Sequence, residues 1–219
     1  MQPVVGAVIA AAGLGSRLGH GLPKCMVEVE GTPILTRIIE AVSVHVDRIH
    51  VVVGYREELV ADYCAIHHRD VVLVRNPDFR ATTTGHSYLL GARGLGERAL
   101  FMDGDILVRP EQLTGILRAS TEHETVVGIT RATTDDGVTV ALSGPPETPS
   151  VVGFARRGGH SYEWANVMVG PPSAIGDGDG YVFEALATQL PLAAAYIEMA
   201  EVDTDADLDR ATAFVRDWR

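Results

Sequence analysis

The feature that most constrains the fold lies near the start of the sequence. Nine residues, Val4 to Ala12, carry no polar side chain, and a glycine turn, Gly13-Leu14-Gly15, follows at once. A continuous apolar run of strand length, bounded by turn residues, reads as a parallel strand covered on both faces. It is too short to cross a bilayer and lacks the basic leader of a signal peptide. A cytoplasmic location with no membrane association is therefore expected.

Downstream, strand-like and helix-like segments alternate. Thr32-Pro33 is a helix start with Ile34, Leu35, Ile38, Ile39 and Val42 on one face. Strands are expected at 49–53, 71–74 and 99–102, with helices over 57–67, 87–93 and 110–120. Beyond residue 120 the texture turns strand-rich, with candidate strands at 125–130, 138–142, 151–155, 163–169 and 195–202 joined by turns such as Asp136-Gly137. Helices are expected over 181–190 and 205–218. The pattern predicts a three-layer α/β/α architecture around a mixed, mainly parallel sheet, Rossmann-like in layout. A single domain, 1–219, is expected, its nucleotide-binding half at about 1–120 and its acceptor-binding half at about 121–219.

Charge narrows the function. Among 219 residues, 29 are acidic and 18 are Lys or Arg, a net charge of −11 with no basic stretch. Nucleic acid is thus not an expected partner. Any phosphate must be held locally by a few cations and backbone N–H groups. The two cysteines, Cys25 and Cys64, cannot make a disulfide framework and read as small apolar residues.

The segment Ala10-Ala11-Ala12-Gly13-Leu14-Gly15-Ser16-Arg17-Leu18-Gly19, followed by Pro23-Lys24, carries the chemistry. Glycines after a buried strand let the backbone turn sharply and present N–H groups to an anion. A dinucleotide loop needs G-x-G-x-x-G running into a helix; here the spacing is G-x-G-x-x-x-G, and Pro23 interrupts the segment. The P-loop pattern G-x-x-x-x-G-K-[ST] is absent. At the end of an apolar strand stands Asp103-Gly104-Asp105, a suitable source of oxygen ligands for Mg²⁺. A late acidic run, Glu201-Val202-Asp203-Thr204-Asp205-Ala206-Asp207, precedes the final helix. Within it Thr204 or Asp205 reads as N-cap and Asp207 as a first-turn acid.

The glycine segment with Arg17 and Pro23-Lys24 resembles the signature of the nucleotidyltransferase superfamily with the glycosyltransferase-A-like fold. That resemblance implies a magnesium-dependent enzyme that joins a nucleoside monophosphate from an NTP to a small phosphorylated or phosphonate acceptor. It implies that Ala11, Ala12, Gly13, Leu14, Gly15 and Ser16 wrap the triphosphate and that Arg17 and Lys24 neutralise it as the catalytic cations. Asp105 and Asp203 become the metal ligands, with Asp103, Thr84 and Ser87 close to the nucleotide.

Three further segments, Val53-Gly54-Tyr55-Arg56-Glu57-Glu58-Leu59, Asn76-Pro77-Asp78-Phe79 and Thr83-Thr84-Gly85-His86-Ser87-Tyr88-Leu89, are similar in order to those of bacterial phosphocholine, phosphonate and inositol-phosphate cytidylyltransferases. CTP is the nucleotide this implies. Relatives carry an asparagine near Thr83-Thr84 that this chain lacks. The His-Asp-Ala-Ala-Arg-Pro segment of the methylerythritol-phosphate cytidylyltransferases is also missing.

The second half is expected to build the acceptor pocket. Asn166 matches a position where relatives contact acceptor or ribose. Tyr162, Trp164, Tyr181 and Phe183 are candidates for faces around a cationic head group, with Glu184 to pair with it, although aromatics alternating along a strand also make a core. A homodimer is compatible with the strand-rich half. Two other readings share the fold: a nucleotide-sugar glycosyltransferase using Asp103-Gly104-Asp105, and a non-catalytic NTP-sensing module. A sugar 1-phosphate is a further alternative acceptor.

Overall fold

The computed structural model describes residues 3–15, 21–133, 137–156 and 158–218. In chain order the first half contains β1 (Gly6–Ala11), β2 (Glu28–Val29), β3 (Thr32–Pro33), α1 (Ile34–Ser43), β4 (Arg48–Val53), α2 (Glu57–His67), β5 (Val72–Arg75), α3 (Thr84–Ala92), β6 (Ala99–Asp103), β7 (Ile106–Val108) and α4 (Pro110–Ala119). The second half adds β8 (Val126–Arg131), β9 (Val138–Ser143), β10 (Ser150–Arg156), β11 (Tyr162–Gly170), α5 (Val182–Ala187), β12 (Leu192–Tyr196), β13 (Met199–Glu201) and α6 (Asp205–Arg216).

Nine strands form one sheet in the order β5-β4-β1-β6-β11-β8-β12-β10-β9. Within this sheet β5, β4, β1 and β6 are mutually parallel, while β11 runs antiparallel to both β6 and β8. The sheet is therefore mixed. The chain leaves β1 towards β4 on one side and later returns to β6 on the other, so the carboxyl end of β1 is a topological switch point, where open α/β sheets bind ligands.

Strand β1 shows why its sequence is apolar throughout. Ala7, Ile9 and Ala11 belong to a core shared with α1, α2, α4 and α6, whereas Val8 and Ala12 belong to a core shared with α3 and α5. Each alternate side chain thus meets a helical layer, and the expected three layers are present. No helix among the described residues is long and apolar enough to cross a membrane.

Local departures from expectation have local causes. Thr32-Pro33 does not open the helix; it pairs with Glu28-Val29 as a short hairpin, and α1 starts one residue later. The expected strand 195–202 is two strands. The first pairs in the main sheet with β8, and the second pairs with β7 in a separate ribbon. Both halves are apolar, so hydropathy alone cannot show the break between them. The expected helix 181–190 ends at Ala187, before Pro191.

Helix α3 lies on β1 and β4 through Gly91. A Cβ at this position would collide with Val8 Cγ1 and would lie 2.8 Å from Val52 Cγ2. Both obstacles are β-branched and stiff at χ1. Replacing Gly91 by Ala gains about 1 kcal/mol of helix propensity but incurs overpacking of about 1–3 kcal/mol. The expected outcome for Gly91→Ala is a net loss of up to about 2 kcal/mol in denaturant unfolding. Equal or greater stability would show that α3 packs less closely than described.

Candidate functional site

The site is assembled at the carboxyl end of β1. After Ala11 the chain turns through Gly13 to Gly15, and Gly15 adopts a left-handed φ of +57°. Beside this turn the 3-10 turn at Lys24–Met26, entered from Pro23, presents Lys24. The Asp103-Gly104-Asp105 corner presses on the same strand end. Gly104 donates its N–H to the Ala10 carbonyl at 2.9 Å, and a Cβ there would lie 2.8 Å from that oxygen. Glycine between the two aspartates is thus what lets Asp105 reach Lys24.

The late acidic run arrives by a separate route. Strand β13 pairs antiparallel with β7, opposing Glu201 to Ile106, and Val202 donates its N–H to the Asp105 carbonyl at 3.0 Å. Glu201 and Asp203 lie two residues apart along this extended stretch. Their carboxylates and that of Asp105 place one oxygen each within 4.8 Å of one another. Lys24 Nζ donates to Asp105 Oδ2 at 2.6 Å and to Asp203 Oδ1. Buried Asp105 Oδ1 has no hydrogen-bond partner among the described residues. Three carboxylates, one with an orphaned oxygen, are a donor set suited to a hard cation such as Mg²⁺.

Electrostatics reflect this crowding. Burial, then Asp105, raises the Asp103 carboxyl pKa to about 7, although the hydroxyl of Tyr88 donates to its Oδ1 at 2.6 Å. Burial, followed by Asp105 and Asp203, raises Glu201 to about 8. Burial alone would lower Lys24, but its contacts with Asp105 and Asp203 outweigh this and hold the ammonium charged. Burial pushes the neighbouring Cys25 thiol up to about 12, in agreement with a structural role.

Two clefts meet at this cluster. The first, about 170 Å³, is lined by Ala11, Ala12, Gly13, Gly15, Lys24, Thr84, Ser87, Asp103 and Asp105 among others. Leu14 is exposed on the same turn. Ser16 and Arg17 lie outside the described residues. Asn76 also lines this cleft; it is buried, and its side-chain amide donates to Thr82 Oγ1 and Ser87 Oγ at 3.0 and 3.1 Å. The second cleft, about 610 Å³, is lined by Trp164, Asn166, Glu201 and Asp203, together with Glu163, Arg131, Arg210 and Phe214. Asn166 has a left-handed φ of +53°, where the register between β11 and β8 shifts. Asparagine tolerates that conformation better than most residues.

The expected aromatic cage does not form. Tyr181, Phe183 and Glu184 line neither cleft. Tyr181 is half exposed, with the Arg156 guanidinium 3.9 Å from its ring centroid, and Glu184 accepts the Tyr181 N–H at 3.2 Å as part of a cap on α5. Tyr162 packs against Tyr196, with ring centroids 5.2 Å apart. Only Trp164 of the four faces the cleft, and its indole N–H is turned to the Val167 carbonyl at 3.4 Å. Sequence reasoning passed over Glu201 and Glu163. The two-residue spacing from Asp203 was the available signal for Glu201, since alternate residues of an extended chain share a face.

Solved structures share the fold at low identity. The inositol-1-phosphate CTP transferase from T. maritima superposes with a TM-score of 0.76 at 18% identity, covering 96% of this chain and 97% of that one. UDP-glucose pyrophosphorylase from Acinetobacter baumanii gives 0.77 at 15% identity, covering 96% and 93%. The architecture is that of the glycosyltransferase-A-like nucleotidyltransferases. A family model for the MobA-like NTP transferase domain matches residues 7–162, and the chain belongs to that family. Relatives include the bifunctional protein GlmU of Methanococcus vannielii, 30% identical over 57% of this chain and 29% of that protein. The bifunctional IPC transferase and DIPP synthase of Rubrobacter xylanophilus is 34% identical over 61% and 31%. The 2-aminoethylphosphonate cytidylyltransferase of Lancefieldella rimae is 34% identical over 49% and 45%. The chain therefore aligns with less than half the length of each of these relatives.

Helix α6 anchors the acidic run. Asp207 Oδ2 accepts from the Thr204 N–H and hydroxyl at 2.8 and 2.7 Å and from the Asp203 N–H at 3.2 Å, closing a capping box. Burial would raise the Asp207 pKa, but these donors and Arg210 lower it. A depressed carboxyl stabilises the fold above the unfolded value, about 3.9, and loses that contribution as pH falls through the folded value. Asp207→Asn is expected to lower stability by about 1 kcal/mol at pH 7. The gap from the parent should narrow below about pH 4 in thermal unfolding. A gap independent of pH would contradict this role for the charge.

Proposed function

We propose that this chain transfers CMP from CTP to a phosphate or phosphonate oxygen of a small acceptor and releases pyrophosphate, in a Mg²⁺-dependent reaction. The observation that carries the proposal is the convergence of Lys24 with Asp105, Glu201 and Asp203 at the strand end where two clefts meet. The family supports nucleotidyl transfer, and the cytidylyltransferases among the relatives and fold neighbours support CTP and this acceptor class.

In this reading the glycine-turn cleft takes the nucleotide. Backbone N–H groups from Ala11 to Gly15 face the phosphates, Thr84 and Ser87 lie towards the base, and Asp103 stands close to the nucleotide. The second cleft takes the acceptor, with Asn166 and Trp164 in its wall. An acceptor oxygen forms a bond to the α-phosphorus as the bond from that phosphorus to the pyrophosphate oxygen breaks. The acceptor oxygen is already ionised near neutral pH and needs no general base. No histidine lines either cleft among the described residues.

Lys24, and Arg17 by resemblance, meet the charge on the α-phosphoryl and the departing pyrophosphate. Asp105, Asp203 and Glu201 would hold Mg²⁺, which supplies charge neutralisation and orientation of phosphate oxygens. The chain itself contributes positioning and preorganised charge. A sugar 1-phosphate acceptor is the second reading, favoured by the UDP-glucose pyrophosphorylase fold neighbour.

The test is pyrophosphate release with Mg²⁺, with four NTPs crossed against phosphocholine, aminoethyl- and hydroxyethylphosphonate, inositol 1-phosphate and glucose 1-phosphate. Release with CTP and a non-sugar acceptor is expected. Release only with glucose 1-phosphate would select the second reading, and binding of NTP without release would favour a sensing module. Lys24→Ala is expected to lose on the order of 10²–10³ in turnover while remaining folded by circular dichroism. Near-normal turnover in that variant would overturn the role given to Lys24.

A further inference from the structure

One charged group in the second cleft has no part in the reaction so far described. Glu163 on β11 is only 5% exposed, yet it lines the cleft that also contains Glu201 and Asp203. Its Oε1 accepts from the Thr133 N–H at 3.3 Å and from the Thr133 hydroxyl at 3.4 Å. Its Oε2 is buried and has no hydrogen-bond partner among the described residues. Burial raises the pKa of this carboxyl, and the two donors of Thr133 act against the rise. A buried carboxylate oxygen without a donor is costly, and the side chain that carries this one also lines a cleft, from which a bound donor would reach it by a small side-chain shift.

The chemistry of that donor follows from the surroundings. The charged groups along the cleft are Glu163, Glu201, Asp203 and Asp207 against Arg131 and Arg210, and Arg210 is committed to Asp207. The excess is negative, so a cationic donor is favoured over a neutral hydroxyl, and charge-assisted hydrogen bonds are the stronger kind. A quaternary ammonium has no N–H to offer and would leave Oε2 unbonded. Trp164 and Phe214 supply apolar wall for a short carbon spacer.

We propose that Glu163 determines acceptor specificity by receiving the primary ammonium of an acceptor whose phosphate or phosphonate lies towards Asp105 and Asp203. This rests on the reading of the second cleft as the acceptor site.

The experiment measures KM and kcat by pyrophosphate release, with CTP and Mg²⁺, for aminoethyl-, hydroxyethyl- and ethylphosphonate, phosphocholine and glucose 1-phosphate. The parent chain and Glu163→Gln are compared, with thermal midpoints recorded for both. The parent is expected to prefer aminoethylphosphonate by about tenfold or more in kcat/KM. Glu163→Gln is expected to raise its KM about ten- to a hundredfold, with a smaller change in kcat. A KM for aminoethylphosphonate within twofold of the parent would overturn the assignment of Glu163 and leave the proposed reaction standing. Parent preference for hydroxyethylphosphonate, phosphocholine or glucose 1-phosphate would overturn the ammonium. That comparison needs no variant and decides the point even if Glu163→Gln fails to fold. Turnover with none of these acceptors, despite CTP binding, would remove the reading of the cleft together with the inference.

Discussion

One electrostatic arrangement gives the site its character: four carboxylates, those of Asp103, Asp105, Glu201 and Asp203, are gathered around the ammonium of Lys24. Two like charges about 4 Å apart near a protein surface repel by about 4 kcal/mol. Such a cluster is not a source of stability. It is imposed by backbone devices that are stable for other reasons: the buried strand β6, the hydrogen bond from Gly104 to Ala10, and the ribbon of β7 with β13. Burial and repulsion then push Asp103 to about 7 and Glu201 to about 8. Perturbed acids at a strand end, beside a glycine turn, mark a site built for positive charge.

The fold explains where that charge is wanted. The switch point in the sheet opens a crevice beyond β1, and the glycine turn forms its floor. Strand β11, antiparallel to β6, carries Glu163, Trp164 and Asn166 into a second crevice alongside. The acidic cluster stands at the junction and contributes residues to both. An enzyme that brings two anionic substrates together needs such a junction, because each phosphate must be neutralised where the two meet.

Much of this was legible in sequence because the relevant signals are local. The apolar run of β1 required two covering layers, and Asp103-Gly104-Asp105 at a strand end announced carboxylates in a loop. Residues 57–67 form the expected helix, with Glu57 and Glu58 in its first turn. What was not legible depended on pairing between distant segments. Glu201 joins the cluster only because β13 leaves the main sheet to pair with β7, a break that hydropathy does not record. Glu163 and Asn166 are three residues apart and would face opposite sides of a regular strand. Both line one cleft, in a strand whose register shifts near a left-handed asparagine. Tyr181 and Glu184 lie outside both clefts for the converse reason. Composition grouped them with Trp164, but a helix cap and an arginine stack account for them.

In the proposed function Asp105, Glu201 and Asp203 form one divalent-cation site that works with bound nucleotide. Its most direct test is Mn²⁺ binding followed by electron paramagnetic resonance, with and without CTP, in the parent chain and in Asp105→Asn. The expected result is one Mn²⁺ per chain that binds more tightly with CTP present and is lost or weakened at least tenfold in Asp105→Asn. Equal Mn²⁺ affinity in the two proteins, or affinity indifferent to CTP, would contradict it.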